Sequence, residues 1–525
     1  MSEPPPLLLR RVRRPGSDDL LDVLIADGRV ARITPTGTVY SSIAGTHAEP
    51  TAAALPTAEQ IDADGAVLLP GLWDSHVHFR QWALRRERLD LTRAESAHDL
   101  LQIVRAAADD SKASGPLVGY GFRDATWPQP PTQESLDQAA GGRPVVLIAW
   151  DLHCAWLSTP AARWLGVHPD PDGVVREAEW FATSRSLDSH TEHLERTDAG
   201  ALRRAADAAA ARGVVGIVDL EMADNLATWP GRIMAGVRSL RVRAGFYPDR
   251  LDDVIDAGLR TGEILPGTDG LVTVGPLKII ADGSLNTRTA YCRHPYAGHL
   301  AEPHLAGDVP GEHGHLEYDV DALTGLISRA GRAGLGTAVH AIGDAAVTAA
   351  LDAYANARSA VGDPGLPATI EHAQLVHPTD LPRFAQLGVT ASVQPEHAMD
   401  DRDIAEEYWP DQTGRAFALR SLLDAGAGLR LGSDAPVAPL DPWAAIAAAV
   451  TRSRDGRAPW HPEQRISARE ALRASTGRAR LDLRAGDPAD LVLVAEDPLR
   501  ADPDALRRPD VLATLLGGRW THRAL

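Results

Sequence analysis

Apolar and polar positions alternate in short runs at both ends of this chain and gather into longer apolar runs between them. Leu7 to Val12 reads as a strand, and Asp22 to Ile33 as two strands joined at Asp27-Gly28, a dipeptide that favours the tight turn of a hairpin. The same texture returns in Ala489 to Val494 and in Val511 to Gly518. The two chain ends together therefore predict one small β domain, with the Ala-, Thr- and Pro-rich stretch from Ser41 to Glu59 as a loop inserted in it.

Between the ends, apolar strands are separated by Ala-rich helical stretches, the rhythm of a parallel α/β fold. The first such strand runs into Leu72-Trp73-Asp74-Ser75-His76-Val77-His78. Seven more follow: Val214 to Asp219, Val242 to Tyr247, Leu271 to Asp282, Gly336 to His340, Ala368 to His372, Val389 to Gln394 and Leu429 to Asp434. Eight parallel strands predict a (β/α)8 TIM barrel, whose active site is built at the C-terminal ends of the strands. The runs Leu117 to Gly121 and Pro144 to Ala149 fall outside this count. They lie in a gap of roughly 130 residues, too long for one βα unit. The predicted organisation is a barrel over 67–79 and 201–483, an insertion over 80–200 placed to cover the barrel mouth, and a β-sandwich over 1–66 and 484–525.

Side chains at i and i+2 of a strand share a face, so His76 and His78 point the same way at the end of the first strand. Alone, a His-x-His is more often a pair of partly exposed loop histidines. The weight comes from what the other strands carry: Lys278 on the fourth, His340 on the fifth, His372 on the sixth and Asp434 on the eighth. A barrel converges these onto one axial point, and four imidazoles with a carboxylate suit zinc or a similar divalent ion.

Composition narrows the setting. With 71 Asp+Glu against 53 Lys+Arg in 525 residues, the formal net charge of -18 argues against nucleic acid or an anionic membrane surface as a partner. Leu7-Leu8-Leu9 is too short for a signal peptide's apolar core, and no run of about 18 apolar residues follows. Cys154 and Cys292 are the only cysteines, which excludes a disulfide framework or a cysteine-rich zinc site and makes a reducing cytoplasm the expected compartment.

The chain resembles the amidohydrolase superfamily, and within it the amidohydrolase-3 branch that includes N-substituted formamide deformylases. The motifs that carry the resemblance are Pro70-Gly-Leu-Trp-Asp-Ser-His-Val-His-Phe79, Leu277-Lys-Ile-Ile-Ala-Asp-Gly-Ser-Leu-Asn-Thr-Arg-Thr-Ala290, His340-Ala-Ile-Gly-Asp344, Ile370-Glu-His-Ala-Gln374 and Gly432-Ser-Asp-Ala-Pro-Val437. Trp127, Asp151 to Trp156 and Val175 to Ala178 in the insertion also look like that branch, so the resemblance spans nearly the whole chain. It implies one or two divalent ions, with His76 and His78 on one, His340 and His372 on the other, and Lys278 carboxylated as a bridge. A protonated lysine would be repelled by two cations; a carbamate is an anionic oxygen ligand. An ordinary salt-bridging or substrate-binding lysine is the alternative. Asp434 would bind metal and act as general base to the attacking water. The implied reaction is hydrolysis of a non-peptide C–N bond in a small molecule, an N-substituted formamide being one candidate, by hydroxide generated at the metal.

Further candidates are His153 and Trp156 in the insertion and Ser284 and Arg288 in the loop after the fourth strand, as substrate contacts. Core packing is the equal alternative for Trp156, and a structural ion pair for Arg288. Asn286 and Ser158 depart from the Gly and Asn expected of the branch, so substrate preference does not transfer through them. Glu396-His397 reads as a solvated turn after the seventh strand, pocket lining being the weaker alternative. A cyclic amidohydrolase of hydantoinase type and a non-catalytic scaffold of the same fold remain as rival readings, and a homo-oligomer stays open.

Overall fold

The computed structural model describes the chain outside residues 1–4, 39–57, 109–114, 123–126, 128–131, 150–153, 177–178, 181–182, 184–186, 188–198, 287 and 298–311. The chain forms two compact units, one of Met1–Phe79 with Ala206–Leu525 and one of Arg80–Ala205. Among the described residues no helix is long and apolar enough to cross a membrane.

The first unit holds the barrel. Its eight strands are Leu72–Val77, Val214–Asp219, Arg241–Phe246, Val272–Ile280, Thr337–Ala341, Ala368–His372, Thr390–Val393 and Gly428–Leu431. They lie side by side in sequence order, and every paired neighbour is parallel. The runs are rich in Val, Ile and Leu because each strand is covered on one face by helices and on the other by the barrel interior. Some of the helices begin where the sequence supplies caps. Asp319 accepts from Ala322 N ahead of Val320–Arg332, and Ser467 with Glu470 forms a capping box on Ala468–Ala474. The eighth strand ends at Leu431 rather than Asp434, because Asp434 adopts a left-handed φ of 56° that no strand continues through.

The ring closes where the first strand meets the eighth. Asp434 N donates to His76 O at 2.7 Å, and His78 N donates to Ala435 O at 2.8 Å. The approach is tight enough to demand glycine at 432, since a Cβ there would lie 2.8 Å from His76 N. Asp74 Oδ1 reinforces the seam, accepting from Ser433 N at 2.9 Å.

Both chain ends build two further four-stranded sheets in the same unit. One orders Arg29–Pro35, Leu21–Ala26, Leu7–Val12 and Glu59–Asp62; the other orders Arg519–Arg523, Val511–Leu516, Leu491–Val494 and Val67–Pro70. Leu7, Leu9, Val23 and Ile25 of the first pack with Leu68, Leu491, Leu493 and Leu515 of the second in one apolar core, which makes a β-sandwich. Asp27 and Gly28, with φ of 52° and 70°, form the expected tight turn. Glu59 starts a strand instead of ending a loop, and 39–57 of the expected loop lie outside the described residues.

The second unit has its own five-stranded sheet, ordered Val174–Arg176, Cys154–Leu157, Val145–Ala149, Leu117–Phe122 and Leu89–Asp90. The two runs that did not fit the barrel count pair here, in parallel. Apolar clusters cover both faces of this sheet, since Val145, Leu147 and Trp156 belong to one and Val146, Ile148 and Leu157 to the other.

The seam yields a direct test. Gly432→Ala forces a methyl against the His76 backbone, and overpacking of this kind costs about 1–3 kcal/mol. The expected result is a lowered midpoint in thermal unfolding followed by circular dichroism; an unchanged midpoint would show that the seam yields freely.

Candidate metal centre

The strand ends bring six side chains into one buried group. His76 and Lys278 are buried inside the barrel, His372 is buried at the last residue of the sixth strand, and His78, His340 and Asp434 retain slight exposure. His78 Nε2 lies 3.1 Å and His76 Nε2 3.4 Å from Asp434 Oδ1. The rings of His76 and His372 have centroids 4.9 Å apart, and those of His340 and His372 4.4 Å apart. Donor atoms of His76, His78 and Asp434 lie within 4.8 Å of one another, as do those of His372, His397 and Asp434. Asp434 is common to both triads.

A layer of carboxylates and carbonyls aims the imidazoles. His76 Nδ1 lies 2.8 Å from Glu371 Oε2, which places the proton on Nδ1 and leaves Nε2 with its lone pair toward Asp434. Glu371 Oε1 in turn accepts from Thr369 Oγ1 at 2.5 Å. His340 Nε2 faces Gly283 O at 3.1 Å, so its proton sits on Nε2 and Nδ1 is the lone-pair atom. Asp282 pins that neighbourhood by accepting backbone N–H groups from Tyr291, Ile342 and Gly343 at 2.9 Å each. Burial pushes both Asp282 and Asp74 up to about 7.

The electrostatics favour ligand forms. Burial, aided by the Lys278 amine, pulls His340 down to about 3, and burial lowers His76 and His372 as well, so these imidazoles are neutral at pH 7. Burial lowers Lys278, against the opposing pull of Glu371 and Asp434. Burial works to raise Asp434, but the surrounding histidines outweigh it and hold the carboxylate well below its ordinary range. His78 moves the other way: burial lowers it, and the contact with Asp434 more than restores it.

Several buried polar atoms here have no hydrogen-bond partner among the described residues: Lys278 Nζ, His78 Nδ1, His372 Nδ1 and His397 Nε2. Each such group costs about 1–3 kcal/mol, so a fold that gathers them in one place is built to give them something to bind. Imidazole nitrogens and a carboxylate oxygen, with neutral imidazoles, are the donor set of a divalent ion of the zinc type. The residues present fit such an ion. His372 and Asp434 carry left-handed φ of 72° and 56°, and non-glycine residues of this kind cost about 1–3 kcal/mol each and concentrate at functional sites.

The remaining sequence candidates fare unevenly. Arg288 and Ser284 sit in the loop after the fourth strand, the Arg288 guanidinium 5.3 Å from the ring centroid of Tyr408 in a cation–π contact. Trp156 is not a surface available to substrate: its ring is wholly buried in the apolar core of the second unit with Leu136, Leu147 and Phe122, the packing alternative. His153 and the motif residues Asp151, Leu152, Glu177 and Ala178 lie outside the described residues. His397 corrects the solvated-turn reading, since only 5% of it is exposed and its Nε2 lies 3.9 Å from Asp434 Oδ2. Sequence reasoning gave no role to Glu371, Asp74 or Asp282. Asp74 was legible, being two residues before His76 on the same strand face; Glu371 was not, because an ideal strand would turn it away from its neighbour His372.

Comparison with known proteins agrees with this geometry. Residues 59–522 match the family described as the amidohydrolase family. Protein LONG AFTER FAR-RED 3 of Arabidopsis thaliana is 30% identical over 515 residues, covering 88% of this chain and 83% of that protein. N-substituted formamide deformylase of Arthrobacter pascens is 25% identical, covering 94% of each. The crystal structure of an uncharacterized metal-dependent hydrolase from Pyrococcus furiosus has a TM-score of 0.71 at 25% identity, over 94% of this chain and 100% of that one.

Glu371→Gln tests the aiming layer. A carboxylate behind a ligating imidazole is worth about 10- to 100-fold in metal affinity, and a loss of that size is expected in competition with a chromogenic chelator. Affinity equal to the unsubstituted protein would show that Glu371 does not orient His76.

Proposed function

The chain belongs to the amidohydrolase family, a hydrolase acting on carbon–nitrogen bonds, and from that premise we propose that it cleaves a non-peptide amide of the N-substituted formamide type. The carrying observation is the buried donor cluster at the strand ends, where His76 and His78 meet Asp434 and the rings of His340 and His372 adjoin. The formamide reading is supported by likeness to the deformylase across 94% of both chains.

His76, His78, His340, His372, Lys278 and Asp434 would hold one or two divalent ions, zinc being the choice that fits imidazole and carboxylate donors. When bound, such an ion would lower the pKa of its water to about 7 and polarise a carbonyl oxygen. Asp434, ionised and largely buried, takes the proton of the attacking water on its carboxylate. It then delivers that proton to the nitrogen as the C–N bond breaks, so that an amine leaves and a carboxylic acid remains, which releases its own proton to solvent. The aspartate is held for both transfers by its backbone bond to His76 O. Glu371 keeps His76 in one tautomer throughout. Burial shifts the Lys278 amine toward neutrality, and the neutral amine would add carbon dioxide: its nitrogen bonds the carbon, one proton is released, and the resulting carbamate is an anionic oxygen donor in place of a cation.

Two measurements check this. A chelator should abolish hydrolysis of N-alkyl formamides and zinc should restore it, and protein that stays active when stripped of metal would overturn the reading. Asp434→Asn should lower kcat by about 10²- to 10⁴-fold, the usual range for removing a general base, with the far-ultraviolet circular dichroism unchanged.

A further inference from the structure

His397 has no part in the expected ligand set, yet the fold places it at the reacting carboxylate. The seventh strand ends at Val393, and the helix His397–Tyr408 starts four residues later, so His397 is the first residue of the helix that follows that strand end. Glu396, the residue before it, is buried and clamped by Arg454 at 3.1 Å and Arg507 at 2.8 Å, which fixes the turn that presents the imidazole. The ring lies 14° from the plane of His372, with centroids 6.1 Å apart.

The two nitrogens of His397 differ. Nδ1 faces the Gln374 side-chain amide nitrogen at 3.5 Å, and an amide N–H donates, so Nδ1 accepts and the ring proton is assigned to Nε2. Nε2 is buried without a hydrogen-bond partner among the described residues. Its 3.9 Å to Asp434 Oδ2 is too long for a hydrogen bond, so this N–H is unspent beside the group that transfers the proton. A buried donor of this kind costs stability unless something in the reaction uses it.

We propose that His397 is a catalytic residue whose Nε2–H donates to the substrate carbonyl oxygen as negative charge builds there, an oxyanion-stabilising donor opposite Asp434. The inference rests on the amide-hydrolase reading and names a second pole of the same site. Donors placed in advance at a developing oxyanion, within a water-excluded site, act far more strongly than in water.

The test uses zinc-loaded full-length protein with His397→Ala and His397→Gln. Metal per protein is read by mass spectrometry, turnover on N-butylformamide, and binding of methylphosphonate, a tetrahedral anion mimic, by calorimetry. Losing the donor should leave metal content equal to the unsubstituted protein, change KM little and lower kcat by about 10²- to 10³-fold in His397→Ala. Methylphosphonate should bind about 10- to 100-fold more weakly, the range for a hydrogen bond to a charged group. His397→Gln, which keeps an N–H donor, should recover part of both effects. Loss of metal from His397→Ala would make His397 a ligand and overturn the proposal, as would unchanged kcat with unchanged phosphonate affinity. If unsubstituted, metal-loaded protein leaves the formamide intact, the functional reading fails by itself, and phosphonate binding still decides the role of His397.

Discussion

Two backbone hydrogen bonds, from Asp434 N to His76 O and from His78 N to Ala435 O, join the first barrel strand to the segment that follows the last. Without them the strand that carries His76 and the strand that leads to Asp434 would lie at opposite edges of the sheet. With them, the histidines at one end of the ordered set and the aspartate at the other become neighbours at 3.1 and 3.4 Å. The closure has steric and polar conditions that the sequence meets: glycine at 432, where any side chain would strike His76, and Asp74 to accept from Ser433 N. Since closing the ring removes the free sheet edges, the same contact that assembles the site also protects the fold from edge-to-edge pairing.

Closure buries ionisable groups that would be far more stable in water. Transfer of an uncompensated charge to a low-dielectric interior is so costly that such groups change protonation instead, and the imidazoles of His340 and His372 do so here by becoming neutral. Asp434 remains ionised because the contact with His78 works against its burial, and Glu371 because burial is outweighed by His76 and Thr369. The result is a cluster poised for cations, aimed by hydrogen bonds that leave the inward nitrogens free. This arrangement costs stability twice, in buried atoms with no partner among the described residues and in left-handed backbone at His372 and Asp434.

Family membership accounts for the barrel and the class of bond attacked, but a fold of this kind hosts many chemistries through its loops. Around the barrel strands this chain carries the loop that holds Arg288 over Tyr408 and the helix that begins at His397, and it has a second unit, Arg80–Ala205, with its own apolar core. That second core explains why Trp156, attractive in sequence as an aromatic substrate contact, serves packing: a five-stranded sheet covered on both faces needs large apolar side chains within it.

Period-two alternation and the strand–helix rhythm determined, from sequence alone, that eight strands would line a barrel and that His76, His78, Lys278, His340, His372 and Asp434 would gather near the strand ends. Those signals are local, and local periodicity fixes which face a side chain takes only while the backbone stays regular. Only the tertiary structure decided the rest. The left-handed φ at His372 breaks the alternation, so Glu371 and His372 both reach the interior although they are adjacent in sequence. His397 looked like a solvated turn because nothing nearby in sequence announces Arg454 and Arg507, which hold Glu396 and fix the helix start. Which nitrogen of each imidazole faces inward depends on partners such as Glu371, Gly283 and Gln374, brought together by folding rather than by proximity along the chain.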